Sequence, residues 1–267
     1  VENNYVYFAG FYWRIIRINE DGSVRLIYQG ETPDAMQSDA AIATTVFNTQ
    51  LDDNAYVGYM YGKKGSTTYS ATHANTNDSD VKKVLDSWYE DNLLKYEEYI
   101  ADAGFCGDRT LASSAGLWEP DDTALGYGTN VTYYGARNRF TDIKQSPKYN
   151  CPQSNDLYTT KSSTKGNKAL KYPIGLITTD EVWYAGGNYF GYNENYYLYT
   201  NSLYWVITPT RFYAARAGVG GVSREGALNH NFVNFERDVR PVISLKANLE
   251  LASGDGTSTN PYTILIK

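Results

Sequence analysis

Residues 204–245 read YWVITPTRFYAARAGVGGVSREGALNHNFVNFERDVRPVISL, and this stretch decides how the C-terminal part of the chain folds. Both ends are rich in β-branched and aromatic residues, which favours strands at Tyr204, Trp205 and Ile207 and again at 239–245. The middle mixes Arg, Tyr, Phe, Asn, His and Gly without a steady period. We therefore expect an irregular surface held between two rigid strands. Inward-facing strand residues are expected at Val219, Val222 and Leu228.

The residues between these strands are of the types that binding surfaces use. Tyr and Phe give a large contact area at low entropic cost, Arg gives directional donors, and Asn can adapt its hydrogen bonds. Rigid flanking strands would reduce the entropy lost on binding. Two interpretations stay open, a binding surface or a set of ordinary exposed loops. The candidate contact residues are Thr210, Arg211, Phe212, Tyr213, Arg216, Asn229, His230, Asn231, Asn234, Phe235, Arg237 and Asp238.

The composition limits the classes of function. The 267 residues include 26 Tyr against 9 Phe, and Tyr suits half-buried and binding surfaces because its apolar ring carries a hydroxyl. The net charge of −6 argues against a nucleic-acid partner. No apolar run approaches the ~18 residues of a membrane span, so no direct membrane insertion is expected. Because the chain starts at Val1 instead of Met, we expect a mature or trimmed ectodomain that is secreted or anchored at the cell surface.

The two cysteines, Cys106 and Cys151, lie in the turn-rich segments AGFCGDR and KYNCPQ. An exported chain favours a disulfide between them. Two free buried thiols, which behave as small apolar groups, are the alternative.

The N-terminal part predicts strands and a hairpin. Residues 5–8 and 11–18 are β-branched and aromatic, Asp21-Gly22 is a strong hairpin turn, and the return strand is expected at 24–28. Long loop insertions are expected around 30–80 and 105–172, the second closed by the cysteine pair. Because no repeat and no clear linker occurs, residues 1–267 are predicted to form a single domain.

Two helices are predicted from periodicity and end signals. Residues 78–105 carry an apolar stripe at helical spacing, a cap at Asp78, Ser79 or Asp80, and a break near 91–92. Residues 172–187 contain the second helix, in which Thr178 and Glu181 form a capping box and two glycines at 186–187 end it.

The order of these elements resembles the C-type-lectin-like fold. The segments at 5–28, 172–187, 204–210, 222–228, 239–245 and 254–264 together resemble a family of bacterial surface proteins of gut Firmicutes, often described as prepilin-like. The C-terminal stretch also resembles the variable proteins of diversity-generating retroelements, which display mutable residues on such a scaffold. The resemblance implies an α+β fold with a mixed, mostly antiparallel sheet, two helices and long loop insertions. It also implies that the first and last strands pair, with FYWRIIRI at 11–18 beside RPVISL at 240–245.

The same resemblance raises the question of a calcium site. Lectins of this fold often hold Ca²⁺ through a Glu-Pro-Asn or Gln-Pro-Asp loop, and LWEPDD supplies Glu119, Pro120, Asp121 and Asp122. This segment precedes the second helix, whereas the lectin motif follows it, and no Trp-Asn-Asp occurs. An acidic turn started by proline is therefore favoured, and we expect no metal and no cofactor.

The sequence contains no motif that indicates an enzyme. The two histidines, His73 and His230, give no recognisable metal spacing, and no Gly-x-Ser-x-Gly turn occurs. Formylglycine-generating enzymes share the broad fold but need a reactive Cys pair in the C-terminal part, and no Cys follows Cys151. We therefore expect a protein that is not an enzyme.

The sequence thus predicts an extracellular ligand-binding protein of the display or adhesin type, whose segment of about 210–238 forms the contact surface. The resemblance implies that a retroelement could diversify this segment, and that the partner is a protein or glycan on another cell or on a phage. A calcium-dependent carbohydrate-binding lectin, a relative of an enzyme that has lost its activity, and a non-binding pilus or surface subunit are the alternatives.

Overall fold

The computed structural model describes residues 2–112, 125–141, 145–189 and 191–266. Over these ranges the protein has a mixed α+β fold that consists mostly of β-sheet. The helices are α1 (Tyr69–Thr72), α2 (Asp80–Asn92), α3 (Gly135–Thr141) and α4 (Thr179–Tyr184). The strands are β1 (Tyr5–Phe8), β2 (Phe11–Ile18), β3 (Val24–Gly30), β4 (Ala43–Val46), β5 (Met60–Tyr61), β6 (Asn77–Asp78), β7 (Phe105–Cys106), β8 (Thr132–Tyr133), β9 (Leu157–Tyr158), β10 (Asn188–Tyr189), β11 (Tyr204–Tyr213), β12 (Arg216–Val222), β13 (Ala227–Phe232), β14 (Glu236–Val239), β15 (Val242–Leu245), β16 (Leu251–Ser253) and β17 (Tyr262–Ile264).

The first large sheet has the strand order β15-β3-β2-β1-β17-β16. The hairpin at Asp21-Gly22 is confirmed, and Gly22 takes the positive φ of +80° that this turn requires. The first and last strands, β1 and β17, pair in parallel, so the ends of the described chain meet. The expected pairing of RPVISL with FYWRIIRI is wrong. β2 is already flanked by β1 and β3, and β15 pairs with the free edge of β3, with Val242 opposite Ile27.

The second large sheet has the order β10-β13-β12-β11-β14-β4, and β8 also pairs with β11. The expectation of an irregular surface at 210–238 is wrong, because β11 to β14 run through it. Two register shifts along β11 and three glycines in β12 hide the two-residue period of these strands. Ala214 and Ala215 form the β11–β12 turn with φ of 50° and 58°, the values of a tight hairpin. Val219, Val222 and Leu228 are buried, as predicted.

The predicted helix caps and helix ends are confirmed, but the structure contains two helices that the sequence did not predict. Ser79 caps α2 by accepting from the Lys82 amide, and a 3₁₀ turn over 94–99 follows the predicted break. The capping box of Thr178 and Glu181 is formed, and Gly186 follows α4 with φ of +96°. Two short helices, α1 and α3, lie in the segments predicted as loop insertions. At four and seven residues they are too short to show an apolar period in the sequence.

A continuous hydrophobic cluster draws on both large sheets and on α2 and α4, with Trp13, Leu85, Val182, Trp205 and Ile243 among its buried members. The disulfide between Cys106 and Cys151 is present, so the alternative of free thiols is excluded. It ties β7 to the segment that follows α3. No helix within the described ranges has both the length and the apolar character to cross a membrane.

Candidate functional site

The structure divides the predicted contact residues into accessible and buried groups. Thr210, Phe212 and Asn231 are only 0%, 1% and 6% exposed, so they support the sheet and cannot contact a partner. Tyr213 and Phe235 are each 44% exposed. Of the remaining predicted residues, two are exposed, Arg216 and Asn234. The other five are half-buried: Arg211, Asn229, His230, Arg237 and Asp238.

The accessible residues include two contacting groups of arginine and aromatic side chains that come next to each other at the β11–β12 turn, and we call them together the arginine–aromatic ladder. The ladder consists of Arg211, Tyr213, Arg216, Phe232, Phe235 and Arg237. The Arg211 guanidinium lies 5.7 Å from the Tyr213 ring centroid, and Tyr213 lies opposite Arg216 in the β11–β12 register. Arg216 lies 5.1 Å from the ring of Phe232.

The ladder continues across the turn between β13 and β14. The rings of Phe232 and Phe235 meet edge to face with centroids 5.9 Å apart, and Arg237 lies 5.3 Å from the ring of Phe235. Such cation–π contacts are worth roughly 0.5–1 kcal/mol each at exposed positions. The sequence analysis missed Phe232, because its contacts with Arg216 and Phe235 depend on strand register.

Neighbouring residues hold both ends of the ladder in place. At one end Tyr133 stacks on Tyr213 with centroids 6.3 Å apart, and Tyr133 is 2% exposed. At the other end Arg237 donates from Nε and Nη2 to the Asn231 Oδ1, at 3.2 and 3.1 Å. The predicted residue Asn231 therefore positions Arg237 from the sheet interior. Because its neighbours are ordered, the ladder loses little entropy when it binds.

The ladder carries positive charge on an acidic protein. Within the described ranges, no carboxylate forms an ion pair with Arg216 or Arg237. Burial and the neighbouring Arg224 lower the pKa of Arg237, although Asp238 opposes this shift. An anionic group that docks here would reduce the mutual repulsion of these guanidinium groups.

His230 lies next to the ladder, where it lines a small cavity together with Arg211 and Phe232. Its ring contacts Phe140 and Tyr189 at centroid distances of 5.4 and 5.9 Å. Burial, together with Arg137 and Arg211, holds the pKa of His230 well below its usual range. The cavity beside it has a volume of about 20 Å³, room for little more than a water molecule. Recognition at the ladder would therefore use its surface and not a pocket.

A second feature, which the sequence analysis did not find, is a cleft of about 680 Å³. It lies between the β2–β3 hairpin, the start of α4 and the disulfide-tied segment around Cys151. Its volume falls within the roughly 300–1,000 Å³ of small-molecule sites. No motif signals this cleft, because its walls come from segments more than a hundred residues apart.

Two adjacent acids of α4 organise the cleft wall. The Glu181 Oε1 accepts from the Nε of Arg17 at 3.0 Å and forms an ion pair with the Nε of Arg25 at 2.6 Å. Burial alone would raise the pKa of Glu181, but Arg25 and Arg17 outweigh burial and hold the pKa below its usual value. Asp180 accepts from the Nε and Nη2 of Arg139, both at 2.8 Å.

Further charged and aromatic groups line the same cleft. Arg139 also contacts Asp108 through its Nη2 at 2.7 Å. The half-buried Asp102 accepts from the amide and hydroxyl of Thr160 at its Oδ2, and burial raises the pKa of Asp102. The Tyr149 ring lies 4.7 Å from the Arg17 guanidinium. The cleft is therefore polar, and most of its charges are matched by opposite charges.

The predicted metal and catalytic candidates give no assembled site in the described part of the chain. No group of three or more His, Cys, Asp or Glu residues there could hold a metal ion. The acidic turn of Glu119, Pro120, Asp121 and Asp122 lies outside the described residues. His73 is fully buried, pairs through Nε2 with the Gly126 carbonyl at 2.8 Å, and has a pKa held well below its usual range by burial.

Comparisons of the chain with family models, with curated proteins and with solved structures give no match. The functional conclusions below therefore depend on the geometry of the ladder and of the cleft.

Proposed function

We propose that this protein is an extracellular recognition protein of the display or adhesin type, which binds a macromolecular partner without chemistry. The observation that carries the proposal is the arginine–aromatic ladder, six side chains in two contacting groups on the sheet of β11 to β14. Arg and Tyr are the residue types that concentrate binding energy at protein interfaces. The disulfide supports an oxidising, extracellular location.

The partner that fits the ladder is an acidic polypeptide surface. Each aromatic ring of the ladder has a guanidinium 5.1 to 5.7 Å from its centroid, so one face of each ring is already in contact and closed to a stacking sugar. What the ladder offers instead is guanidinium groups, whose paired N–H donors match the two oxygens of a carboxylate. Because the net charge of the chain is −6, the ladder also directs an acidic partner to one place on a surface that otherwise repels it.

The finer parts of the proposal are a C-type-lectin-like scaffold and diversification of the display surface by a retroelement. They are supported by the sequence resemblance and by the pairing of the first and last strands. In this proposal, the diversified positions are the accessible members of the ladder.

The test is a triple variant, Tyr213→Ala, Arg216→Ala and Phe235→Ala, compared with a control that replaces Lys95 and Tyr192 by Ala. Tyr192 is 83% exposed and Lys95 is exposed on the 3₁₀ turn after α2. Immobilised poly-L-glutamate serves as the probe in surface plasmon resonance. We expect the wild type and the control to bind, the triple variant to bind at least about tenfold more weakly, and added salt to weaken binding.

Thermal unfolding of the triple variant separates a lost contact from a lost fold. Its Tm should stay close to that of the wild type, because all three side chains are exposed. Equal binding by the triple variant and the control would contradict the proposal. Binding to polygalacturonate but not to poly-L-glutamate would overturn the choice of a polypeptide partner. Ladder-dependent self-association in sedimentation would favour a structural subunit instead.

A further inference from the structure

We propose that the cleft beside α4 is a second binding site, for a small molecule with one carboxylate and several hydrogen-bond donors, and that Arg17 binds the carboxylate. Free amino acids and sugar acids share this chemistry. The proposal does not depend on the ladder, since different residues carry it.

Arg17 is held in place while part of its donor set remains free. Its Nε donates to Glu181 at 3.0 Å and its guanidinium lies 4.7 Å from the Tyr149 ring, so the side chain has little freedom left to lose. Its two terminal nitrogens make no hydrogen bond within the part of the chain that the structure describes. The side chain is 22% exposed and lines the cleft. A fixed guanidinium with two free nitrogens is a ready receptor for the two oxygens of a carboxylate.

The charges around Arg17 limit the ligand to a single negative charge. Arg17 and Arg25 share one ion-pair partner, Glu181, so this pairing leaves one positive charge in excess; Glu20, Asp21, Lys148 and Lys165 also line the cleft, and Lys165 pairs with Glu20. The adjoining wall has the opposite excess, because Arg139 faces both Asp108 and Asp180. A phosphate or a dicarboxylate would add a second negative charge near these two acids. A monocarboxylate satisfies the positive wall alone.

The remainder of the cleft favours donor groups on the ligand. The carboxylate of Asp102 lines the cleft; Thr160 holds its Oδ2, and its Oδ1 is buried without a hydrogen-bond partner in the described ranges. Asp108 and Asp180 also line the negative wall, where their carboxylates already contact Arg139 and add negative charge rather than open acceptor oxygens. Hydroxyl groups or an ammonium group at the far end of the ligand match the Asp102 acceptor and this negative charge.

The cleft is also built to keep its shape. The disulfide fixes Cys151, and so the neighbouring Tyr149 and Asn150, against β7. The buried pair of Arg25 and Glu181 anchors the β2–β3 hairpin to α4, since both side chains are at most 2% exposed. Walls that are fixed before the ligand arrives reduce the entropy lost on binding.

The experiment screens the twenty common amino acids, glucuronate and galacturonate at millimolar concentration by thermal shift, and measures each hit by titration calorimetry. We expect at least one monocarboxylate to raise the Tm of the wild type. The methyl ester of the hit, which lacks the negative charge, should bind roughly tenfold to a hundredfold more weakly. Whether the compounds that raise the Tm are amino acids or sugar acids shows which of the two classes the cleft binds.

Two variants locate the carboxylate. Arg17→Gln should weaken binding of the hit by the same factor as the ester, whereas Lys165→Gln, which removes a 71%-exposed charge from the rim, should leave binding nearly unchanged. The ladder triple variant should bind the hit normally, which distinguishes failure of this proposal from failure of the proposed function. No hit at all, equal binding of acid and ester, or a larger effect of Lys165→Gln than of Arg17→Gln would each overturn the proposal. The ester comparison needs no variant, so the test holds even if Arg17→Gln does not fold.

Discussion

At the scale of single residues, several of the charged groups buried in this protein are paired with opposite charges. Glu181 shows this best, because its carboxylate forms ion pairs with two arginines and accepts from the amide of Thr178, and its side chain is 2% exposed. The same residue completes the capping box of α4. Glu181 therefore has two roles: it caps the start of α4, as the sequence predicted, and it joins α4 to the β2–β3 hairpin.

Replacing Glu181 by Gln should lower the free energy of unfolding at neutral pH by about 3–5 kcal/mol, because it leaves the buried Arg25 without its counter-charge. The pKa of Glu181 lies below its ordinary 4.5, so the contribution of its charge is present above 4.5 and is lost as the pH falls through the folded-state pKa. Urea unfolding of both proteins as a function of pH is the measurement. The two stabilities should converge in acid, and a difference that stays constant with pH would contradict this account.

At the scale of elements, strands hidden in an aperiodic sequence carry the candidate surface. β11 contains two register shifts, so buried and exposed side chains do not alternate regularly along it. β12 contains Gly218, Gly220 and Gly221, which carry no side chain to show a period. The hypothesis of loops framed by strands was therefore wrong, although the residue types of the segment pointed to a surface that includes Tyr213 and Phe235.

The disulfide is the covalent link between elements, and its removal should be costly. Cys106 and Cys151 are separated by 45 residues, and closing a loop of this length stabilises a fold by about 4 kcal/mol in the chain-entropy model. We expect the double Cys→Ser variant to unfold at lower urea concentration and to lose binding of any cleft ligand before it loses binding at the ladder. Unchanged stability after reduction, with both thiols titrated, would refute this expectation.

At the scale of the whole molecule, the two large sheets present separate surfaces. The ladder lies on the sheet of β11 to β14, whereas the cleft is bordered by β2 and β3 of the other sheet and by α4. A common hydrophobic cluster joins them, so substitutions in the core would disturb both surfaces. Substitutions at exposed positions should leave both surfaces folded, because surface substitutions usually shift the free energy of unfolding by less than about 0.5 kcal/mol.

If a retroelement diversifies the protein, the variable codons in the source population should be those of accessible ladder residues such as Arg211, Tyr213, Arg216, Phe235 and Arg237. Thr210 and Phe212 should stay constant, because they are 0% and 1% exposed and any change there would disturb the core. Sequencing codons 204–245 across many cells, together with a search for a nearby near-copy of the segment, tests this. Variation that includes the buried positions equally, or one invariant sequence without a copy, would remove the retroelement proposal.

Local signals in the sequence determined the hairpin at Asp21-Gly22, the caps at Ser79 and Thr178, and the ending of α4 before Gly186. Each of these depends on residues a few positions apart, whose backbone preferences and hydrogen bonds form without distant partners. The disulfide partners were also predictable, since the chain has only two cysteines.

Only the tertiary structure decided the pairing of β15 with β3, the strands of 210–238, the place of Phe232 in the ladder, and the cleft. These features join residues far apart in sequence, such as Arg17 and Glu181, 164 positions apart. Their partners are selected by strand register and by the packing of the whole core, which no short stretch of sequence contains.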